Sequence, residues 1–364
     1  MGLYYAAVVQ SPSFAKRGNG SVEGTDSFYL RVRWTSLSMS RIYRVVSNYQ
    51  APFSAINTAG EQPIRCRKLD LYRSIITVGN PSFLTWEKIR QFGFARALYD
   101  SVLDKVALVA ANIESDANGM RRHSVFDTYV LDKKRNVSYN LGMAFAKFYS
   151  QRILNISNLI HVEFLKKQEA VTFVPQNGNK RPKEPDLVGQ TADGKWHVFE
   201  AKGVSTSSQL NAKIQEAKSQ VDQIDTIYGE PPQTGSACAT YIGRDRILTY
   251  LKDPLSKGGK KVEMNRGKFL ESYYSPFLLA GKVGKGSLRR ELIDGVEVEF
   301  YDLERASQKL SIGLDSEIAA LLRENKYEVS QHITERLSKY SSRDSDRDRY
   351  SFGLDGFVIS YSDH

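Results

Sequence analysis

Cysteine and long apolar runs are both scarce in this chain, and each scarcity excludes a class of protein. The 364 residues include two cysteines, Cys66 and Cys238, and neither has a close-spaced partner. This excludes a disulfide framework and a cysteine-based zinc site, so we expect both to be small buried residues. No stretch approaches the roughly 18 uncharged apolar residues of a membrane-spanning helix. The apolar residues 1–10 lack the basic segment of a signal peptide, and we therefore expect a cytoplasmic protein without membrane contact.

Phosphate-binding loops and internal repeats are also missing from the sequence. Residues 281–287 combine glycines with lysines, but their order and spacing do not match a Walker loop. No similarity recurs at the period of about 20–50 residues that is typical of repeat proteins. The chain has no motor of its own, so ATP-driven movement would require a protein partner such as an ATPase or helicase subunit.

Basic residues outnumber acidic ones. The chain has 51 Lys and Arg against 41 Asp and Glu, which gives a formal net charge of +10. Cationic surface favours a polyanionic partner, because binding releases the counterions condensed on nucleic acid. The excess is concentrated between Lys252 and Arg290, where ten cations face three acids. Charge alone leaves nucleic-acid binding open, but this stretch supplies candidate phosphate contacts: Lys260, Lys261, Lys282 and Lys285.

Length and composition indicate a folded protein with one main domain and an appended region. Hydrophobic residues make up 41% and charged residues 25% of the chain, which are ordinary values for a globular protein. We divide the chain into residues 1–137, a mixed α+β N-terminal region, and residues 138–364. The role of the first region, substrate sensing or docking, stays open. Within it, alternating runs predict strands in residues 1–50, and helical spacing predicts one or two helices in residues 85–112.

The second region alternates helices with strands. Its predicted elements, in order, are a buried helix at residues 138–154, a strand at 171–174, a hairpin, a helix at about 208–227, a strand at 238–242, a helical stretch at 316–340 and a closing strand at 356–361. We expect the closing strand to pair with a sheet, since exposed apolar edges invite aggregation. Alternation of this kind predicts an α/β fold with a mixed central sheet flanked by helices.

The residues that indicate chemistry lie on the predicted hairpin. Asp193-Gly194 between two apolar runs is a strong hairpin signal. Glu200 and Lys202 are two residues apart on the second strand, so their side chains point to one face while Ala201 faces the other way. Asp186 begins the first strand. The hairpin can therefore bring two carboxylates and one ammonium group together at one edge of a sheet.

These residue types suit the hydrolysis of a phosphodiester. Mg²⁺ is a hard cation that takes one or two carboxylates together with water and phosphate oxygens. Asp186 and Glu200 can supply the carboxylates, and the carbonyl of Ala201 can add a ligand. A bound ion lowers the pKa of its water and offsets charge that develops in the transition state. Lys202 can position or deprotonate that water, or contact the scissile phosphate.

This pattern resembles a known superfamily. Pro185-Asp186, followed after residues 187–199 by Glu200-Ala201-Lys202, is similar to the motif of the PD-(D/E)XK nucleases, the restriction-endonuclease-like proteins. The resemblance covers residues 138–247. It implies a restriction-endonuclease-like fold, a mixed central sheet flanked by helices, and it maps the two acids and the lysine of the motif onto Asp186, Glu200 and Lys202. It further implies Mg²⁺ or Mn²⁺ as cofactor and DNA as the preferred substrate.

The resemblance extends to the next helix and fails at the preceding one. Members often place a Lys or Gln on the following helix, facing the site. Gln220 is the candidate here, with Lys218 behind it as a nucleic-acid contact. The preceding helix often contributes another acid, yet residues 138–154 contain no Asp or Glu. Glu163 lies after that helix and could substitute for the missing acid, although a surface position is the more ordinary interpretation.

Other interpretations of these residues stay open. A bare Glu-x-Lys is usually two solvated charges on an exposed strand, and a nuclease-like fold can be an inactive nucleic-acid-binding protein or a scaffold subunit. The sequence does not distinguish DNA from RNA, or duplex from single strand, and oligomers are possible. The kind of standalone protein that it resembles suggests an effector in bacterial anti-phage defence or DNA processing. The isolated histidines, including His161 and His197, we interpret as structural.

Overall fold

The structure is a computed structural model, which describes residues 64–78, 85–116, 119–175, 184–253, 260–283, 288–305, 308–324, 330–338, 340 and 349–363. All of them belong to one compact unit, bounded by Leu37 and His364. The strands predicted within residues 1–50 lie outside the described residues.

Ten α-helices are present in the described part of the chain. They are α1 (Lys68–Thr77), α2 (Trp86–Phe92), α3 (Phe94–Leu98), α4 (Asp104–Asn112), α5 (Leu131–Leu154), α6 (Val162–Lys167), α7 (Leu210–Val221), α8 (Arg266–Val283), α9 (Ser316–Arg323) and α10 (Ser330–Ser338). A π-helical turn, Tyr99–Leu103, connects α3 with α4, and a 3₁₀ turn, Ser124–Thr128, precedes α5. No described helix has the combination of length and apolar character needed to span a bilayer.

Fifteen strands form four sheets among the described residues. They are β1 (Ile113–Asp116), β2 (Gly119–Arg122), β3 (Ile156–His161), β4 (Val171–Pro175), β5 (Leu187–Thr191), β6 (Trp196–Val204), β7 (Ile224–Ile227), β8 (Thr234–Ile242), β9 (Ile247–Lys252), β10 (Lys260–Met264), β11 (Arg289–Ile293), β12 (Val296–Arg305), β13 (Gln308–Asp315), β14 (Tyr350–Phe352) and β15 (Phe357–Asp363). The fold is therefore mixed α/β, as the alternation of patterns predicts.

The central sheet has the strand order β3-β5-β6-β8-β9. All its neighbouring strands are antiparallel except β6 and β8, which run parallel. Helix α7 covers one face, because Val204 of β6 packs with Leu210, Ile214 and Ala217. Helix α5 covers the opposite face, where Gly142 meets the backbone of Gly203. The sheet thus lies between two helices, with β6 at its centre.

Two of the helices predicted in the second region differ from the structure in their bounds, and residues 85–112, where one or two helices are predicted, form three, α2, α3 and α4. Helix α5 begins at Leu131, seven residues before the predicted start, and the proposed boundary between residues 137 and 138 lies inside it. Its first turns are mostly exposed and carry no apolar period, so the pattern did not reveal them. The helix predicted to reach residue 227 ends at Val221, and Ile224–Ile227 instead forms β7. That strand pairs in parallel with β10, a long-range contact that overrides the local pattern.

The C-terminal part forms an antiparallel sheet of its own, ordered β11-β12-β13-β15-β14. The predicted closing strand is confirmed as β15, which lies between β13 and β14 rather than at an edge. The helical stretch predicted at residues 316–340 is two helices in the described residues, α9 and α10. Asp315 begins α9 by accepting hydrogen bonds from the backbone of Glu317 (2.8 Å) and Ile318 (3.1 Å).

A buried polar cluster joins the helices near the central sheet to the C-terminal sheet. Asp355, before β15, is fully buried and lies 3.2 Å from the ammonium group of Lys147 on α5. The hydroxyl of Tyr273 on α8 donates to the same carboxylate. Lys147 also donates to the Ser157 carbonyl over 2.8 Å. Because a buried charge needs a partner, this cluster fixes how α5 and α8 meet the C-terminal strands.

Candidate functional site

The predicted hairpin is confirmed, and it positions the two acids. Strands β5 and β6 pair with Leu187 opposite Phe199, and Asp193-Gly194 forms the turn between them. Gly194 has a φ of 85°, a backbone conformation that glycine adopts without steric cost. Asp186, immediately before β5, is therefore brought beside Glu200 of β6. This placement follows from local pairing alone.

The carboxylates of Asp186 and Glu200 each accept a hydrogen bond from a backbone amide of the opposite strand segment. The amide of Asp186 donates to Glu200 Oε2 over 2.8 Å, and the amide of Ala201 donates to Asp186 Oδ2 over 3.2 Å. Glu200 is fully buried, whereas Asp186 is partly exposed. The two carboxylates are thus held at one end of the hairpin, with Asp186 on the solvent side.

Lys202 and Gln220 complete the group on the side covered by α7. The Lys202 ammonium donates to Glu200 Oε1, and about a fifth of its side chain is exposed. Gln220, nearly buried on α7, contacts the same carboxylate. With its amide nitrogen facing Glu200, it donates to Oε2 over 3.1 Å. The structure therefore brings together all four residues that the sequence predicts as catalytic.

The charges of this group are strongly perturbed. Burial and the neighbouring charge of Asp186 raise the pKa of Glu200 to about 7, although Lys202 partly opposes the shift. Burial alone would lower the pKa of Lys202, but Glu200 and Asp186 more than offset it, so the net pKa is raised. The site holds two carboxylates that repel each other and an ammonium group that keeps its proton. A bound cation would relieve that repulsion.

A close backbone approach fixes the end of β6 that carries these residues. A Cβ atom added to Gly203 would lie 1.7 Å from the carbonyl oxygen of Ser138, and one added to Gly142 would lie 2.7 Å from the Gly203 nitrogen. Both glycines are therefore required where α5 crosses β6. This contact places the first half of α5 directly behind Lys202.

The donor set fits a hard divalent cation, with few protein ligands. Asp186 and Glu200 offer carboxylate oxygens, the ligands that Mg²⁺ and Mn²⁺ prefer. The N–H of Ala201 faces Asp186, and since the N–H and C=O of a strand residue point to the same neighbour, its carbonyl faces that side too. Within the described ranges, no group of three or more His, Cys, Asp or Glu is placed to hold a metal. Water and phosphate oxygens would have to complete the coordination.

The five predicted phosphate-contacting lysines fall in different environments. Lys218 on α7 is partly exposed and Lys261 on β10 is exposed. Lys260 is only 3% exposed, and its ammonium lies 5.6 Å from the ring centre of Phe173. Lys260 is therefore not the exposed phosphate contact that the sequence predicts, because it lies on the buried face of β10 together with Val262 and Met264. Lys282 lies in helix α8, and Lys285 falls outside the described residues.

Two residues beside the acids were not predicted. His161, interpreted from the sequence as structural, ends β3 opposite Leu187, next to Asp186. Its Nε2 atom lies 3.1 Å from the hydroxyl of Tyr139 on α5. Glu163 is exposed, as expected of a surface glutamate, but its charge reaches both residues. No strand is predicted from the sequence at residues 156–161, so β3 and the position of His161 beside the acids were both missed.

His197 and both cysteines are buried, as expected. His197 is fully buried on β6, with Nδ1 2.8 Å from the Thr234 hydroxyl, and burial lowers its pKa to about 3. Cys66 and Cys238 are buried and form no disulfide with each other. None of them belongs to the site.

Comparisons of the chain with family models, with curated proteins and with solved structures give no match. The case for function therefore depends on the geometry of Asp186, Glu200, Lys202 and Gln220.

Proposed function

We propose that this protein is a metal-dependent nuclease that hydrolyses phosphodiester bonds of DNA. The observation that carries the proposal is the convergence of two carboxylates, an ammonium group and a carboxamide at the end of one hairpin. The raised pKa of Glu200 supports a functional site, since strongly perturbed pKa values cluster at such sites. The resemblance to the PD-(D/E)XK pattern supports the reaction class.

Each residue has a role that its surroundings favour. Asp186 and Glu200, with the carbonyl of Ala201, would hold Mg²⁺ or Mn²⁺. When bound, the ion would acidify the attacking water and offset charge on the phosphodiester. The raised pKa of Lys202 disfavours its action as a base, so we assign it to electrostatic contact with the phosphate. Gln220 orients the Glu200 carboxylate by donating to it.

The fold supports the same conclusion at a coarser level. A mixed sheet with β6 at its centre lies between α5 and α7, the arrangement that the restriction-endonuclease-like resemblance implies. The preceding helix contributes no acid in that arrangement, because the part of α5 nearest β6 carries Ser138 and Gly142. Fold alone does not decide function. The proposal therefore stands on the site.

The experiment is cleavage of plasmid and oligonucleotide DNA with Mg²⁺ or Mn²⁺, and with EDTA. Wild-type protein should cut only with the metal, and Asp186→Ala and Glu200→Ala should lose at least about 100-fold in rate, because each removes a metal ligand. Lys202→Ala should lose turnover but bind Mn²⁺ in calorimetry with wild-type affinity. Weaker Mn²⁺ binding by that variant would contradict the role assigned to the lysine.

The turn of the same hairpin supplies matched controls. Asp193 and Lys195 are exposed and lie in the segment that joins β5 to β6. Asp193→Ala and Lys195→Ala remove the same groups as the site variants without touching the site, so both should cut like wild type. If Asp186→Ala cuts DNA as fast as Asp193→Ala and wild type do, the nuclease assignment is wrong.

One observation favours a second candidate function, a nuclease-like protein that binds nucleic acid without cutting it. The Glu200 carboxylate already accepts hydrogen bonds from Asp186, Lys202 and Gln220, which leaves only about one of its four lone-pair sites for a metal. A protein that binds DNA yet neither cuts it nor takes up Mn²⁺ would support this function. In either case Lys218, which is partly exposed, and Lys261, which is exposed, remain the proposed contacts to the DNA backbone.

A further inference from the structure

Tyr139, like Asp186 and Lys202, is a residue near the site whose side chain is not buried. It lies on α5 one residue after Ser138, whose carbonyl meets Gly203 beside Lys202. The tyrosine is 41% exposed. Burial of part of the ring and the charges of Asp186, Glu163 and Glu200 raise the pKa of its hydroxyl, so the phenol keeps its proton at neutral pH.

The hydrogen bonds of His161 determine which way that proton points. The backbone amide of Glu163 donates to His161 Nδ1 over 3.2 Å, so Nδ1 is the unprotonated nitrogen of a neutral ring. The proton is then on Nε2, which lies 3.1 Å from the Tyr139 oxygen and donates to it. The tyrosine oxygen is an acceptor in this contact. Its own hydrogen is left to donate elsewhere.

The position of this pair relative to the acids is set by the sheet. His161 ends β3 opposite Leu187, and the Val162 amide donates to the Asp186 carbonyl over 2.9 Å. His161 therefore holds the tyrosine hydroxyl at the end of β3, whereas Lys202 lies on β6. A phosphate bound to Asp186 and Glu200 through a cation would present its other oxygens toward these flanking donors.

We propose that Tyr139 is a phosphate-binding residue, which donates its hydroxyl hydrogen to a non-bridging oxygen of the phosphodiester held at Asp186 and Glu200. His161 is a positioning residue that orients the tyrosine through Nε2. This inference rests on the proposed nuclease function and adds a neutral donor to its site. Helix α5, which supplies no acid, thus supplies a phenol.

The test compares three variants in the metal-dependent cleavage assay. Tyr139→Phe keeps the ring and removes the hydroxyl, so kcat/KM should fall about 10- to 100-fold, the usual effect of losing a donor to a charged group. The kcat/KM of Tyr139→Leu should fall no further than that of Tyr139→Phe. Tyr129→Phe removes a hydroxyl from a nearby tyrosine before α5 and should cut like wild type. Wild-type rates for Tyr139→Phe would overturn the proposal, and loss only in Tyr139→Leu would show that the ring stacks on a base.

A binding measurement separates this inference from the proposed function. With Ca²⁺ in place of Mg²⁺, fluorescence anisotropy of a labelled oligonucleotide should show about 10-fold weaker binding by Tyr139→Phe. The salt dependence should be unchanged, because the lost group carries no charge. If wild type cuts, Asp186→Ala is silent and Tyr139→Phe matches wild type in both assays, only the tyrosine assignment fails. If wild type neither cuts nor binds, the proposed function fails and this inference is overturned with it.

The positioning role of His161 is tested by a double-mutant cycle. His161→Ala should slow cleavage in the wild-type background but have little further effect in the Tyr139→Phe background, because the hydroxyl it orients is already gone. Additive losses would mean that the histidine acts only through the stability of α6, which it begins.

Discussion

The buried carboxylate of Glu200 should make the metal-free protein less stable at high pH, and replacing it by glutamine should reverse this. Its pKa of about 7 in the folded protein compares with 4.5 for an ordinary glutamate. The difference corresponds to about 3 kcal/mol of unfolding free energy. Glu200→Gln keeps the shape of the side chain and mimics its protonated form. In EDTA the variant should therefore be more stable than wild type at pH 8, by up to about that amount.

The sign follows from proton binding. Since the folded protein binds this proton more tightly than the unfolded chain, protonated Glu200 makes its full contribution to stability below pH 4.5. That contribution is lost as the pH rises from 4.5 to about 7, and stability changes little from this source above pH 7. Wild type and Glu200→Gln should thus have similar urea midpoints at pH 4.5 and diverge by pH 8.

Two further arms make the measurement decisive. Asp193→Asn, an exposed acid in the hairpin turn, should keep the pH dependence of wild type. Adding Mn²⁺ at pH 8 should stabilise wild type by mass action but leave Glu200→Gln unchanged, since the variant lacks a ligand. If wild type and Glu200→Gln show the same pH dependence of stability between pH 5 and 8 in EDTA, folding does not raise the pKa of Glu200, and the argument from that pKa is refuted.

Two predictions concern the support of the site. Gly203→Ala should lower both the melting temperature and the cleavage rate, because its Cβ would lie 1.7 Å from the Ser138 carbonyl oxygen; a variant with unchanged melting and activity would disprove the tight crossing of α5 over β6. Asp355→Ala should destabilise the protein by about 3–5 kcal/mol in urea unfolding, because Lys147 would be left buried without its partner. The double variant Asp355→Leu, Lys147→Met should recover part of that loss, and its failure to do so would contradict this account.

Much of the candidate site could be predicted from the sequence because it is local. A turn of Asp193-Gly194 between two apolar runs sets the register of β5 and β6, and the two-residue period then puts Glu200 and Lys202 on one face. The contact of Gln220 with Glu200 came from the resemblance to a known pattern. The closing strand was also predictable, since an apolar run at residues 356–361 needs a partner.

Other features depended on contacts between distant residues. Residues 224–227 follow a helical pattern but form a strand, because β10 offers a parallel partner. Lys260 looks like an exposed cation in the sequence, yet it lies on the buried face of β10. Helical and strand patterns describe a segment and its own period, and they do not report what another segment places against it.

The sequence by itself determined that two carboxylates and a lysine meet at the end of one hairpin, because neighbouring strands and a tight turn leave little freedom of register. Only the tertiary structure decided the environment of that group. Burial raises the pKa of Glu200, the glycine contact between α5 and β6 brings Tyr139 beside the acids, and the end of β3 supplies His161 to orient it. Burial and charge act through space, so their effect on these residues depends on which elements the fold packs together.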